Sequence, residues 1–244
     1  MNRVIVYGDL HGCLEEFKLL REKLDLKEGD KEIVIGDILD RGLYSNKLLR
    51  YIRKHRIASV LGNHEYKYIR YKKYEYLFEQ IGKKNPISLT NEQKKIYAEL
   101  SDNDFTYLNS LPFFIKIDNL TLLHAGITNQ INLQNTKKRE IEKILWIRTL
   151  DQNQKILSLN DTNKTAKLWS EFYNGNQGTV VYGHNVFDEV KINDYSFGID
   201  TGCVYGHKLT ALLINDTKNP KQTYAIIQQK ALKTYAVKML GKSV

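Results

Sequence analysis

The sequence predicts an α/β fold in which a second sheet packs face to face on the first and helices cover the outside. Two observations carry this. The chain opens with three short apolar runs, Val4–Tyr7, Ile33–Ile35 and Ile57–Leu61, separated by two segments of helical periodicity. From Phe113 onward, short apolar runs between turns dominate instead. A β-α-β-α-β beginning implies parallel strands joined by right-handed crossovers. The 244 residues suit one domain, 1–244, with a sizeable core.

Each element has a local reason. Leu14, Phe17, Leu20 and Leu24 fall on one face of a helix. Ser45 is expected to N-cap a second helix carrying Leu48, Leu49 and Ile52. Residues 66–110 break the alternation and read as a helical insert. There Tyr66, Tyr68, Tyr71, Tyr74 and Tyr76 interleave with Lys67, Arg70, Lys72 and Lys73. Those tyrosines either pack an amphipathic helix or offer a stacking surface for a base. Thr90 with Gln93 has the form of a capping box opening another helix. Phe113–Ile117 and Leu120–His124 flank Asp118-Asn119 as a hairpin. Lys137–Trp146 reads as a helix. Val180–Tyr182, Val190–Ile192, Phe197–Ile199, Leu209–Ile214 and Tyr224–Ile226 read as strands. A lysine-containing tail, about 230–244, is expected to be loosely ordered.

Composition narrows the function classes. A net charge of +9 favours anionic partners in general. The positive charge is scattered, and its densest run, Lys137-Lys138-Arg139, is followed at once by Glu140 and Glu142. Nucleic-acid binding is therefore not indicated. No apolar run approaches the ~18 residues of a membrane helix. Residues 1–6 read as a strand start rather than a leader, so a cytoplasmic location and no membrane partner are expected. Cys13 and Cys203 are expected to be free buried thiols.

Five motifs occur in order: Gly8-Asp9-Leu10-His11-Gly12, Gly36-Asp37-Ile38-Leu39-Asp40-Arg41-Gly42, Gly62-Asn63-His64-Glu65, His124-Ala125-Gly126 and Gly183-His184. They place carboxylate, imidazole and amide groups beside glycines, mostly just after apolar runs. Ligands of parallel sheets bind outside the carboxyl ends of strands, where Asp9, Asp37 and Asn63 fall. Mixed oxygen and nitrogen donors suit manganese, iron or zinc better than calcium.

These motifs resemble those of the phosphoprotein phosphatase family of metallophosphoesterases. Tyr173-Asn174-Gly175, Val180-Val181-Tyr182-Gly183-His184 and Ile199-Asp200-Thr201-Gly202-Cys203-Val204-Tyr205-Gly206 are similar to its bacterial branch. That branch includes serine/threonine phosphatases, PrpE-type enzymes and symmetrical diadenosine tetraphosphate hydrolases. The resemblance runs from about residue 3 to about 214 and is weakest over 66–110. It implies a calcineurin-like β-sandwich flanked by helices (α/β/β/α) and two divalent metal ions. By resemblance, Asp9 and His11 bind one metal, Asp37 bridges both, and Asn63, His124 and His184 complete the second. His64 is then the general acid, Asp40 its carboxylate partner, and Arg41 and Arg148 bind phosphate. Asp200 is expected to be structural, and Glu65 to orient a neighbour.

The family chemistry is direct attack on phosphorus by a hydroxide between the metals. Retained Asp40 and Glu65 favour protein phosphoserine or phosphothreonine as substrate. Symmetrical hydrolysis of diadenosine tetraphosphate and an RNA-end phosphatase are the alternatives. The resemblance departs at Tyr182, Asn185 and Gly42-Leu43, none of which removes a ligand.

Overall fold

The structure is a computed structural model and describes residues 3–158, 161 and 165–237. Strands β1 (Val4–Tyr7), β2 (Lys31–Val34) and β3 (Ala58–Ser59) run parallel, linked through helices α1 (Leu14–Lys23) and α2 (Ser45–Lys54). The insert supplies α3 (Asn63–Ile81), α4 (Asn91–Glu99) and α5 (Asp102–Ser110). The hairpin of β4 (Phe114–Ile117) and β5 (Leu120–Leu123) follows. Next come α6 (Lys138–Ile141), the short pair β6 (Thr149–Leu150) and β7 (Lys167–Leu168), and α7 (Trp169–Phe172). The chain continues through β8 (Thr179–Tyr182), β9 (Lys191–Asn193), β10 (Ser196–Gly198), β11 (Lys208–Ile214) and β12 (Tyr224–Lys230).

The first sheet has the order β12-β11-β1-β2-β3 and the second β4-β5-β8-β10-β9. Side chains alternate across each strand, and this sets the layers. Val4 and Val6 face Leu120, Leu122, Val181 and Phe197 between the sheets. Ile5 and Tyr7 point the other way, onto Phe17, Leu20, Leu48 and Leu49 of the helices. Leu123, Val180 and Tyr182 form the outer face of the second sheet with Trp169, Ile144 and Ile147. The result is a two-sheet sandwich with helices outside, α/β/β/α.

The structure corrects four local expectations. The strands near the C-terminus do not all join the second sheet: β11 pairs antiparallel with β1, Val6 opposite Leu212, and brings β12 with it. Ser45 is not a cap. Tyr44 holds that position, and Ser45 Oγ instead accepts the Asp40 N–H at 3.0 Å. Lys137–Trp146 is no continuous helix. A single turn, α6, passes into a 3-10 turn at Glu142–Leu145, where Ile144 O accepts from Ala125 N and Gly126 N. The tail is docked through residue 236: Ala231 N–H donates to His207 O at 2.8 Å, and Tyr235 and Ala236 N–H to Val204 O at 2.9 and 3.0 Å. The rest of the expected loose tail, 238–244, lies outside the described residues. Among the described residues, no helix is long and apolar enough to cross a membrane.

The insert is tied down by charge as well as packing. Buried Asp104 of α5 accepts from Ser101 N–H and Oγ–H and pairs with Arg50 and Arg53 of α2. Tyr68, Tyr71, Tyr97 and Phe105 pack edge-on or stacked against one another. Most of the insert tyrosines therefore serve packing.

Candidate active site

Every candidate residue except Arg148, which immediately precedes β6, lies on a loop or helix start just past a strand. Asp9 and His11 follow β1; Asp37, Asp40 and Arg41 follow β2. Asn63 and His64 open α3 after β3, His124 follows β5, and His184 follows β8. The loops are held in unusual backbone geometry. His11, Asp37, Asp40, Arg41 and His184 have φ of 41°, 50°, 73°, 68° and 64°. Each such residue costs on the order of 1 kcal/mol and persists only where its surroundings hold it.

Two devices hold these loops. Leu10 N–H and His11 N–H both donate to Asp37 O, at 3.1 and 2.7 Å. Buried Glu65 accepts N–H groups from Asp37 (2.9 Å), Leu39 (2.9 Å) and Gly62 (3.2 Å). Glu65 thus orients the Asp37 loop, as expected, although burial and the Asp37 charge push its pKa up to about 8. The loops approach too closely for side chains at two glycines. A Cβ on Gly62 would collide with Asp37 N, and one on Gly183 with Asp9 Oδ1.

Around Asp37 the donors converge. His11 Nδ1–H donates to Leu39 O at 2.9 Å, and His124 Nδ1–H to Ile35 O at 2.8 Å. That fixes both tautomers and leaves each Nε2 as a lone pair. His11 Nε2 faces Asp37 Oδ2 at 3.5 Å; His124 Nε2 faces Asp37 Oδ1 at 3.3 Å and Asn63 Oδ1 at 2.8 Å. Burial pushes His11 down to about 3 and also lowers His124 and His184. Neutral imidazoles therefore turn acceptors toward a carboxylate and an amide oxygen. Burial, with repulsion from nearby carboxylates, raises Asp9 and Asp200. Such an acceptor-rich, buried set fits divalent cations, which satisfy the facing lone pairs at once.

Asp37 with His11 and His64, and Asp37 with His124 and His184, bring ligand-type atoms within 4.8 Å of one another. Asp9 lies against the His184 backbone N–H at 3.1–3.2 Å. His64 is placed differently from the other imidazoles. Its Nδ1 bonds Asp40 Oδ2 at 2.5 Å, and its Nε2 lies 3.8 Å from Asp37 Oδ2. Burial opposes charge on His64, but Asp37 and Asp40 more than offset it and raise its pKa. Exposed Arg41 contacts His11 Nε2 at 3.2 Å and Tyr205 Oη. Arg148 does not reach Asp37. It donates to His184 O (2.8 Å) and Asn185 Oδ1 (2.6 Å), and among the described residues its buried Nε has no partner.

Sequence reasoning missed four supports: Tyr68 and Gln93 on Asp40, Tyr205 against Arg41, and Asn185 against Arg148. Only Asn185 and Tyr205 had a signal, being inside or beside the quoted motifs.

Comparison with known proteins agrees with the geometry. The sequence model described as calcineurin-like phosphoesterase matches residues 2–211. A protein of Oceanobacillus iheyensis named Bis(5'-nucleosyl)-tetraphosphatase PrpE, asymmetrical, is 30% identical over 231 residues, 86% of this chain and 87% of its own. A protein of the same name from Bacillus subtilis is 27% identical over 221 residues, 84% and 88% of the two chains. Among solved structures, a candidate diadenosine tetraphosphatase superposes with a TM-score of 0.72 at 24% identity, covering 93% of this chain and 94% of its own. A protein serine/threonine phosphatase from Saccharomyces cerevisiae gives 0.61 at 14% identity, covering 95% and 81%. Both share the fold.

Proposed function

The chain belongs to the calcineurin-like phosphoesterase family, a family of metal-dependent hydrolases, and on that premise we propose that it cleaves bis(5'-nucleosyl) tetraphosphates at the loops around Asp37. The observation that carries the chemistry is the His64–Asp40 pair at 2.5 Å beside the convergent donors. The substrate class is supported by the names of relatives that align over most of the chain. Those names specify asymmetrical cleavage, which leaves a nucleoside triphosphate and a monophosphate. The sequence-based alternative had specified symmetrical cleavage into two diphosphates.

Asp9 and His11 would hold one divalent cation and Asn63, His124 and His184 another, with Asp37 shared. Manganese suits this donor set, and iron or zinc are compatible with it. The chemistry such cations supply is activation of water and neutralisation of phosphoryl charge. Asp40 keeps His64 protonated and aims its Nε2–H outward, so His64 delivers a proton to the departing oxygen. Arg41 offers its exposed fork to phosphate oxygens, and Arg148, held by His184 O and Asn185 Oδ1, adds a second guanidinium charge beside them.

A phosphoserine or phosphothreonine protein is the second reading, supported by the retained Asp40 and by the motif set. The test is kcat/KM with manganese for diadenosine tetraphosphate and for a phosphothreonine peptide on one preparation. Preference for the dinucleotide, with ATP and AMP as products, supports the first reading; preference for the peptide overturns it.

A further inference from the structure

We propose that Cys13, Glu16 and Cys203 form a structural site for one soft divalent cation, zinc(II) by donor chemistry. Their two Sγ atoms and a carboxylate oxygen lie within 4.8 Å of one another. All three residues are buried, and neither thiol is in a disulfide. Nothing in the phosphoester chemistry uses them.

Glu16 points most directly to a cation. It is fully buried on α1, yet among the described residues no lysine, arginine or histidine pairs with it. Its Oε1 accepts from Leu232 N–H at 3.0 Å and Tyr235 Oη–H at 2.6 Å. Among the described residues its Oε2 has no hydrogen-bond partner. A buried carboxylate is normally paired or coordinates a metal, because water no longer solvates its charge. Two thiols beside that carboxylate complete a set of soft and hard donors. These three donors leave the fourth tetrahedral position to a water, a more open set than the four-ligand closure usual at structural zinc. Binding displaces both thiol protons to solvent, leaving two thiolates and one carboxylate around a 2+ ion.

The site would join three separate parts of the chain. Cys13 begins α1, Cys203 lies in the turn before β11, and Glu16 anchors the C-terminal segment at Leu232 and Tyr235. The cation therefore pins segment 231–236 to the core.

The test is cobalt(II) titration of the full chain after removal of metals by chelator. Both cysteines of the chain belong to this cluster, and none of the ligands assigned around Asp37 is a thiol. A thiolate-to-cobalt charge-transfer band in the near ultraviolet thus reports this site alone. The expected result is a band that saturates, protection of both thiols from alkylation, and loss of the band in Cys203→Ser. Glu16→Gln keeps the acceptor for Tyr235 and should weaken cobalt affinity at least about ten-fold. Absence of the band at saturating cobalt in the unmodified chain overturns the proposal, with no reliance on a variant that folds. So does a band that survives in both Cys13→Ser and Cys203→Ser.

Discussion

Gln93 of the helical insert donates from Nε2 to Asp40 Oδ2 at 2.8 Å, the same oxygen that holds His64. Its Oε1 meanwhile accepts the Thr90 N–H at 3.1 Å and Lys67 Nζ at 2.7 Å. One amide thus caps α4 and steadies the carboxylate behind the proposed acid. Tyr68 bonds the other Asp40 oxygen. Residues 66–110 therefore act as a buttress for Asp40.

Gln93→Ala should separate these two jobs by their readouts. Loss of the cap partner should lower stability by about 1 kcal/mol in urea unfolding. Loss of the Asp40 contact should lower kcat/KM by about ten-fold or more. The loss should be larger for esters with poor leaving groups, since Asp40 acts through His64. An equal loss across leaving groups would place the role of Gln93 elsewhere.

His64→Asn removes the proton donor while leaving Asp9, His11, Asp37, Asn63, His124 and His184 in place. Metal content should stay unchanged. The rate should fall by about 10²–10⁴ for poor leaving groups and far less for p-nitrophenolate. Uniform slowing would show that His64 is not the acid.

Glu65→Gln tests the strained loop. The carboxylate serves three backbone N–H groups, and an amide presents only one acceptor oxygen to them. Stability should fall by about 2–3 kcal/mol, measured by denaturant unfolding, with weaker metal retention. An unchanged midpoint would show that the loop from Asp37 to Arg41 keeps its positive-φ residues without it.

The motif loops were legible because each is local: a strand end, a glycine and a ligand-type side chain within a few residues. The capping box at Thr90 and Gln93 was legible for the same reason. What Gln93 does with its other amide atom was not, because Asp40 lies 53 positions away. Ser45 misled for a physical reason. A serine before a helix is a natural cap, but here the left-handed Asp40 and Arg41 turn the Asp40 N–H toward its hydroxyl. The break in Lys137–Trp146 follows from Ile144 serving two N–H groups of the His124 loop, which no periodicity reveals.

Lys221 gives a pH signature. Its ammonium lies 3.7 Å over the Phe197 ring and donates to Ser196 O at 2.9 Å, and burial pushes its pKa down to about 8. A lysine in the unfolded chain titrates near 10.4. Between these values the unfolded chain holds more protons, so this group's contribution to stability rises with pH from about 8 to about 10.4. Half-exposure limits the effect to below about 1 kcal/mol. The check is the NMR titration of the Lys221 Cε resonance: a midpoint near 10.4 would contradict the burial.

Asp37→Asn tests the central claim most directly, by metal analysis and kcat/KM on the same sample. Asp37 faces His11 on one side and His124 on the other. With its charge removed, bound metal and phosphoester hydrolysis should be lost together. Full metal content, or full activity, in the folded variant would contradict the assignment of these loops as the hydrolytic centre.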